Sequence, residues 1–218
     1  MDIEAGRLWP ASFVEVRCPE SVEFLTDIYY ICGIMMENCT IRNRELHSEP
    51  FGDAYVECIF EQCSFLDIPI DKTVFEKCVF KDCDFSNSKF LCHFEDVRFI
   101  ACKMIGADFS LIGKYSSNVK FLDCNLSFAY FAESKLKGSI FSNCLMHECD
   151  FSGADLSNST FGNCDLSLAV FSNSNLVNAD MESSFNYRIS PVDNRVKGLT
   201  VSESGIRGLL SGFGIVIK

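Results

Sequence analysis

Histidine is scarce in this sequence, and the usual signatures of metal and catalytic sites are missing. The three histidines, His47, His93 and His147, do not have the spacing of metal ligands. The 13 cysteines include no CxxC pair, and the chain has neither a Walker loop nor a GxSxG motif. These absences favour a non-enzymatic protein with no catalytic residue, metal site or cofactor. An enzyme or metal protein that uses the many thiols is the least favoured hypothesis.

Basic residues are in the minority. The chain has 30 acidic and 19 basic residues, a formal net charge of −11 and a pI near 4.7. This balance argues against direct nucleic-acid binding, which requires a basic patch, and favours either a basic protein partner or mere solubility. No apolar run is long enough to cross a membrane, and residues Met1 to Pro10 do not resemble a signal peptide. We therefore expect a cytoplasmic protein with no membrane contact.

A repeat of five residues occupies much of the chain. From Phe121 to Met181 a large apolar residue recurs at every fifth position, with a small residue two positions before it. This period matches neither a helix nor a strand, and it indicates a repeat architecture. A second period of twenty residues relates Leu136, Leu156 and Leu176. It predicts a square coil with four five-residue sides, in which like residues stack on like, as in a β-solenoid.

The repeat resembles the pentapeptide-repeat family, whose motif is A(D/N)LXX. The matching pentads in this chain are CDFSN (83–87), ADFSL (107–111), CDFSG (149–153), ADLSN (154–158) and CDLSL (164–168). The resemblance covers most of the chain from about Cys58 to Met181. It implies an all-β fold, a right-handed quadrilateral parallel β-helix, to which the sequence adds a short C-terminal helix.

Most of the cysteines follow the repeat. Eleven of them occupy the small position two residues before a large one: Cys39, Cys58, Cys63, Cys78, Cys83, Cys92, Cys102, Cys124, Cys144, Cys149 and Cys164. Stacked pairs such as Cys58 and Cys78 could be close enough for a disulfide. We expect them to remain thiols that act as small buried apolar residues in a reducing cytosol.

The period is interrupted at three places. The step between candidate inward residues is four residues from Val56 to Phe60 and from Phe90 to Phe94, and twelve from Phe109 to Phe121. The twelve-residue step predicts a small loop at 110–120, which contains Lys114 and Tyr115. Loops on a rigid scaffold often carry function, although a harmless insertion is an equal alternative.

These observations divide the chain into three parts. Residues 1–38 are predicted to be an N-terminal cap or degenerate first coils, with a helix-containing appendage as the alternative. Residues 39–185 form the β-helix, and 186–218 a C-terminal cap helix and dimerisation strand. Ser202 would cap a helix through Leu210 that ends at Gly212. The apolar strand Phe213–Ile217 would then cap its own solenoid or pair with a second copy.

The tail from Val196 to Ile217 is similar to the C-terminal segment of the Qnr-type, MfpA and McbG topoisomerase-protection proteins. The resemblance implies a homodimer joined through this segment. The matched and neighbouring apolar residues are the candidate dimerisation residues: Leu209, Leu210, Phe213, Ile215, Val216 and Ile217. The resemblance of the tail also implies binding to a type II topoisomerase (DNA gyrase or topoisomerase IV) and protection of that enzyme from quinolones or other poisons.

The acidic residues of the repeat suggest how such a rod could bind. Regularly spaced carboxylates can resemble the phosphates of a DNA strand, which repeat about every 3.4 Å. The candidate partner-binding residues are the loop residues Lys114 and Tyr115 and the repeat aspartates Asp84, Asp108, Asp150, Asp155 and Asp165. A merely solvated face is the structural alternative for these aspartates. A scaffold or interaction protein with an unrelated partner is the alternative function, because the fold alone does not select one.

Overall fold

The fold is a parallel β-solenoid of short strands. The computed structural model describes residues 14–17, 34–46, 53–112, 116–213 and 215. The strands are β1 (Val14–Arg17), β2 (Ile34–Glu37), β3 (Thr40–Arg42), β4 (Ala54–Val56), β5 (Ile59–Glu61), β6 (Pro69–Glu76), β7 (Val79–Lys81), β8 (Lys89–Glu95), β9 (Arg98–Ile100), β10 (Lys120–Leu122), β11 (Ile140–Ser142), β12 (Thr160–Gly162), β13 (Asp180–Met181) and β14 (Thr200–Val201). Helix α1 (Ile206–Leu210) and a 3₁₀ turn (Ser211–Phe213) follow them.

The strands and isolated bridges define four walls, which the chain visits in order. Wall 1 is the nine-stranded sheet from β3 to β14, and wall 4 begins as the five-stranded sheet β1-β2-β4-β6-β8. Parallel bridges define the rest. They run along wall 2 through Ser64, Asp84, Lys103, Asn125, Leu145, Asp165 and Phe185, along wall 3 through Lys89, Asp108, Tyr130, Asp150 and Val170, and along wall 4 through Lys135, Asp155, Asn175 and Arg195.

The predicted stacking of like residues is confirmed. Leu136, Leu156 and Leu176 lie one above another on wall 4, and all three are buried. Backbone hydrogen bonds join their coils, with the Leu136 amide donating to the Asp155 carbonyl at 3.0 Å. The neighbouring coils are therefore held at the ordinary spacing of parallel strands, about 4.8 Å.

Phenylalanine rings fill the interior in stacked columns. On wall 1 the rings of Phe99, Phe121 and Phe141 follow one another at centroid distances of 5.2 and 5.0 Å. On wall 3 Phe109 and Phe131 stack at 4.7 Å. Rings of different walls meet edge to face, as Phe121 and Phe131 do at 6.1 Å. These are the two arrangements that aromatic quadrupoles favour, so one phenylalanine per side packs the coil without strain.

Most sides of the coil end in a residue with left-handed backbone geometry. It stands two positions after the inward residue, as Asn143 (φ 55°) does after Phe141. Asn, Asp and Gly hold most of these positions, because they tolerate positive φ better than other residues do. Asparagines in this position also stack, since Asn143 donates from Nδ2 to Asp123 Oδ1 at 3.0 Å.

The cysteines lie where the repeat predicts. Cys58, Cys63, Cys78, Cys83, Cys92, Cys102, Cys124, Cys144, Cys149 and Cys164 are free and buried. Their thiols donate to carbonyl groups, as Cys149 Sγ does to the Leu126 oxygen at 3.0 Å. Burial raises the pKa of the Cys92 and Cys149 thiols, which keeps them protonated. Cys39 is the exception to the predicted thiols, because it is disulfide-bonded.

Of the two predicted four-residue steps, one is wrong and one is confirmed. Tyr55, not Val56, is the buried inward residue of β4, so the step to Phe60 is five residues. The prediction failed because both residues are apolar and adjacent. The short step from Phe90 to Phe94 is confirmed, since the register of β6 and β8 shifts between Asp71 and Val74. The short step lies instead between Leu46 and Tyr55, which are nine residues apart where two pentads would need ten. Residues 47–52 of this segment lie outside the described residues.

Parallel pairing is also present toward both ends of the described chain. Strands β1 and β2 pair in parallel, with Val14 opposite Ile34, so this part of 1–38 continues wall 4 as a coil does. At the other end Asp180 pairs with Thr200, so the coil continues past residue 185. Pro191 and the irregular residues around it conceal this last turn in the sequence.

Candidate partner-binding surfaces

The five candidate aspartates do not lie on one face. Asp84 and Asp165 are on wall 2, Asp108 and Asp150 on wall 3, and Asp155 on wall 4. The walls differ because each pentad forms one side of the coil, so Asp150 and Asp155, five residues apart, lie on successive walls. A single stripe of carboxylates made from these five residues is therefore absent from the described solenoid.

These aspartates also have a structural task. Each accepts a hydrogen bond from the backbone N–H two residues ahead, as Asp84 Oδ1 does from Ser86 at 2.9 Å and Asp150 Oδ1 from Ser152 at 2.8 Å. Although partial burial opposes ionisation, hydrogen bonds from Ser86 and Lys103 lower the pKa of Asp84. The Asp–Phe/Leu–Ser sequence of the repeat thus closes a side-chain turn at the corner. The five carboxylates are half-buried.

Asp165 contacts three polar side chains. Burial opposes its charge, but hydrogen bonds from Ser167, Asn186 and His147 lower the pKa of Asp165 to about 2. His147 Nε2 lies 2.9 Å from Asp165 Oδ2. This pair is a local contact between neighbouring coils on wall 2. The position of His147, one of the three histidines, is therefore accounted for by a carboxylate partner without a metal.

Cations interrupt the acidic surface. Lys103 Nζ lies 3.0 Å from Asp84 Oδ2, and Lys77 Nζ lies 3.3 Å from Glu57 Oε1. Such exposed pairs contribute little to stability, but they reduce the local negative potential. The surface of the N-terminal half is consequently mixed in sign.

The predicted loop is confined to fewer residues than 110–120. Ile112 is buried as a corner residue, and its amide donates to the Phe109 carbonyl at 3.2 Å. Ser117 already bridges to Glu95 on wall 4. Lys114 and Tyr115 lie outside the described residues, so their predicted role in binding stays a prediction.

The C-terminal helix begins later than predicted. Helix α1 starts at Ile206, and Ser202 instead accepts a hydrogen bond from the Gly205 amide at 3.1 Å. Leu209 and Leu210 are half-buried, whereas Phe213 and Ile215 are 51% and 56% exposed. Phe213 lies in the 3₁₀ turn rather than in the predicted strand. The candidate residues Val216 and Ile217 lie outside the described residues.

Two glycines seat α1 on the last coil, a contact that the sequence analysis missed. A Cβ at Gly208 would lie 2.2 Å from the Tyr187 carbonyl oxygen, and one at Gly205 would lie 1.9 Å from the Tyr187 hydroxyl. Tyr187 is buried, and its hydroxyl has no hydrogen-bond partner among the residues that the structure describes. A cleft of about 720 Å³ adjoins this contact and is lined by residues that include Arg188 and Arg207. The spacing Gly–x–x–Gly was the signal for close helix packing.

A family model for the pentapeptide repeat region matches residues 92–171. The same parallel register extends on both sides of this segment, from β3 to β14, so the fold of the solenoid is that of pentapeptide-repeat proteins. No curated protein sequence matches the chain.

A solved structure of QnrB1 shares the architecture. A trypsin-treated form of QnrB1, described as a plasmid-mediated fluoroquinolone resistance protein, is 17% identical with a TM-score of 0.59, covering 84% of this chain and 100% of that chain. HetL, described as a pentapeptide repeat protein involved in heterocyst differentiation regulation from the cyanobacterium Nostoc sp. strain PCC 7120, is 10% identical with a TM-score of 0.42, covering 81% and 90%. At these identities the QnrB1 match shows the fold alone.

Proteins built from pentapeptide repeats are typically structural or interaction proteins. Across 14–17, 34–46, 53–112, 116–213 and 215, no group of three or more His, Cys, Asp or Glu is arranged to hold a metal ion. Within the same ranges, no helix has the length and apolar character to span a membrane.

Proposed function

We propose that this chain is a non-catalytic binding protein that engages a type II topoisomerase, DNA gyrase or topoisomerase IV, and protects it from quinolones or other poisons. The observation that carries the proposal is the shared fold with the fluoroquinolone resistance protein QnrB1 over the whole length of that chain. The sequence similarity of the tail to the Qnr-type proteins agrees with it. The proposal extends a likeness in fold to a likeness in partner.

The geometry supports action through the surface. Phe131, Phe141 and Phe151 fill the interior and are fully buried, so a substrate would have no access to the inside of these coils. The outward positions instead repeat at the coil spacing of about 4.8 Å. Charged side chains held at such fixed intervals can match a basic surface that normally receives DNA.

Helix α1 and the residues after it, 206–213 and 215, form what we call the C-terminal module, and this module supports a homodimer. Ile206, Phe213 and Ile215 are each exposed by more than two fifths, and they cluster at one end of the rod. Exposed apolar side chains gathered at a chain end favour association with a second copy. A two-fold dimer through this end would nearly double the length of the rod that is presented to a partner.

An interaction scaffold with an unrelated partner is the second candidate function. The observation that favours it is the placement of the five aspartates on three different walls, where Lys103 also pairs with one of them, Asp84. A surface of this kind is less like a strand of DNA than a single acidic stripe would be. The two candidates differ in the partner and not in the fold.

Affinity capture from a bacterial lysate distinguishes the two candidates. We expect the immobilised full chain to enrich the subunits of gyrase or topoisomerase IV above all other proteins. The control is the chain with Asp84, Asp108, Asp150, Asp155 and Asp165 replaced by asparagine, which can still accept the turn hydrogen bonds but lacks five negative charges. Enrichment should fall in this variant. A different protein as the main capture, with no topoisomerase, would favour the scaffold.

A further inference from the structure

The exposed apolar residues of the solenoid are unevenly distributed over its walls. Ten large apolar side chains that are exposed by 37% or more lie on walls 2 and 3: Leu66, Leu91, Leu111, Phe128, Tyr130, Leu145, Leu168, Val170, Phe185 and Val192. On walls 1 and 4, within the ranges that the structure describes, Ile59 is the one such residue before α1. Scattered apolar residues need no explanation, but a one-sided distribution does.

Six of these residues form one patch toward the C-terminal end. The apolar patch consists of Phe128, Tyr130, Leu145, Leu168, Val170 and Phe185. Parallel bridges order two of its columns, Leu145–Asp165–Phe185 on wall 2 and Tyr130–Asp150–Val170 on wall 3. Phe128, Glu148 and Leu168 share the corner position between these columns on three successive coils. The patch is therefore continuous across the edge where walls 2 and 3 meet.

Carboxylates are interleaved with the apolar side chains of this patch. Glu148 lies between Phe128 and Leu168, Asp150 between Tyr130 and Val170, and Asp165 between Leu145 and Phe185. No lysine or arginine of the described residues forms an ion pair with these three carboxylates; His147 pairs with Asp165. The patch thus combines exposed apolar area with negative charge that lacks a lysine or arginine partner.

Two residues of the patch have a backbone conformation that is unfavourable for large apolar side chains. Phe128 (φ 62°) and Leu168 (φ 59°) have left-handed backbone geometry, and they are 54% and 68% exposed. At the equivalent positions of other coils the chain has residues such as Asn87 and Gly106, which tolerate positive φ. Neither burial nor backbone preference explains a large apolar residue there. An outlier of this kind is a basis for a functional hypothesis.

We propose that the apolar patch binds a basic amphipathic segment of a partner protein, whose apolar side chains contact Phe128, Leu168 and Val170 while its lysines or arginines reach Glu148, Asp150 and Asp165. Charge complementarity selects this occupant. A second copy of the chain is disfavoured, since its own patch would oppose like charges across the contact. The inference concerns a surface distinct from the C-terminal module and holds whichever protein supplies the segment.

The test measures the binding of a labelled amphipathic helical peptide to the full chain by fluorescence anisotropy. The peptide consists of lysine and leucine and is about 18 residues long. The variant replaces both Phe128 and Leu168 by asparagine. We expect its affinity for the peptide to fall at least about tenfold, which is 1.4 kcal/mol. Its melting temperature should rise by about 2–4 °C, because asparagine suits left-handed geometry. A purely structural role would not produce stabilisation together with lost binding.

Three controls make the result specific. Leu66→Ser removes an exposed leucine from wall 2 far from the patch, and it should leave the affinity unchanged. Glu148→Gln with Asp150→Asn should weaken binding and reduce its dependence on salt. A helix with glutamate in place of lysine should not bind. The proposal is overturned if the wild-type chain fails to bind the lysine helix or if the double asparagine variant binds it equally. It is also overturned if the wild-type chain sediments as a dimer and the double asparagine variant sediments as a monomer, because the patch would then be an interface between two copies.

Discussion

Replacing Phe151 by alanine is expected to destabilise the solenoid by about 3–5 kcal/mol. The Phe151 ring is fully buried, and it stacks between Phe131 at 5.0 Å and Phe171 at 5.1 Å. It also meets Phe161 edge to face at 6.1 Å. Deleting the ring would leave a cavity that neighbouring coils cannot close, because backbone hydrogen bonds hold them at a fixed spacing. The free energy of unfolding in urea measures the effect.

Phe128→Ala is the matched control, since it removes the same ring from an exposed position. We expect its free energy of unfolding to change by less than about 1 kcal/mol. Equal losses in the two variants would contradict a core built of stacked phenylalanines. A loss confined to Phe151→Ala would support it.

Gly208→Ala is expected to release α1 from the last coil and to destabilise the C-terminal module by about 1–3 kcal/mol. The added Cβ would lie 2.2 Å from the Tyr187 carbonyl oxygen and 3.0 Å from its ring, so the helix must move. The Gly208 carbonyl accepts a hydrogen bond from the Ile189 amide at 3.3 Å, which the shift would break. Faster hydrogen exchange at Ile189 and in α1 would report this release.

Gly212→Ala provides the comparison, because a Cβ at Gly212 meets nothing within 4 Å. It should leave exchange at Ile189 unchanged and should be neutral or stabilising by up to about 1 kcal/mol. If Gly208→Ala exchanged no faster than Gly212→Ala, the packing of α1 on Tyr187 would be wrong.

The architecture could be predicted because one physical constraint repeats in the sequence. A narrow coil admits one large side chain per side, so Leu136, Leu156 and Leu176 had to share a wall once the twenty-residue period was recognised. The buried cysteine thiols follow from the same constraint. The neighbours Tyr55 and Val56 show its limit, since the period does not choose between two adjacent apolar residues.

The surface was predicted less well, because outward positions are free to vary. Asp84 and Asp165 follow the repeat, but their hydrogen bonds to Ser86 and Ser167 show that the corner turn explains them first. The candidate aspartates occur in pentads on three different sides of the coil, so the shared motif did not place them on one face. The contact of Tyr187 with α1 joins irregular residues, for which no period exists.

One signal at the surface was readable and was missed. Two residues after each inward residue, the chain prefers Asn, Asp and Gly, as the left-handed corner requires. Phe128 and Leu168 depart from that preference in the sequence itself. Positions that follow the repeat therefore indicate the fold, and positions that depart from it indicate residues to consider for function.

Supercoiling by DNA gyrase in the presence of ciprofloxacin tests the proposed topoisomerase protection most directly. We predict that increasing amounts of the purified full chain restore supercoiling, and that the recovery becomes weaker at high salt because charge contributes to binding. Failure to restore any supercoiling at any ratio of protein to gyrase would contradict it.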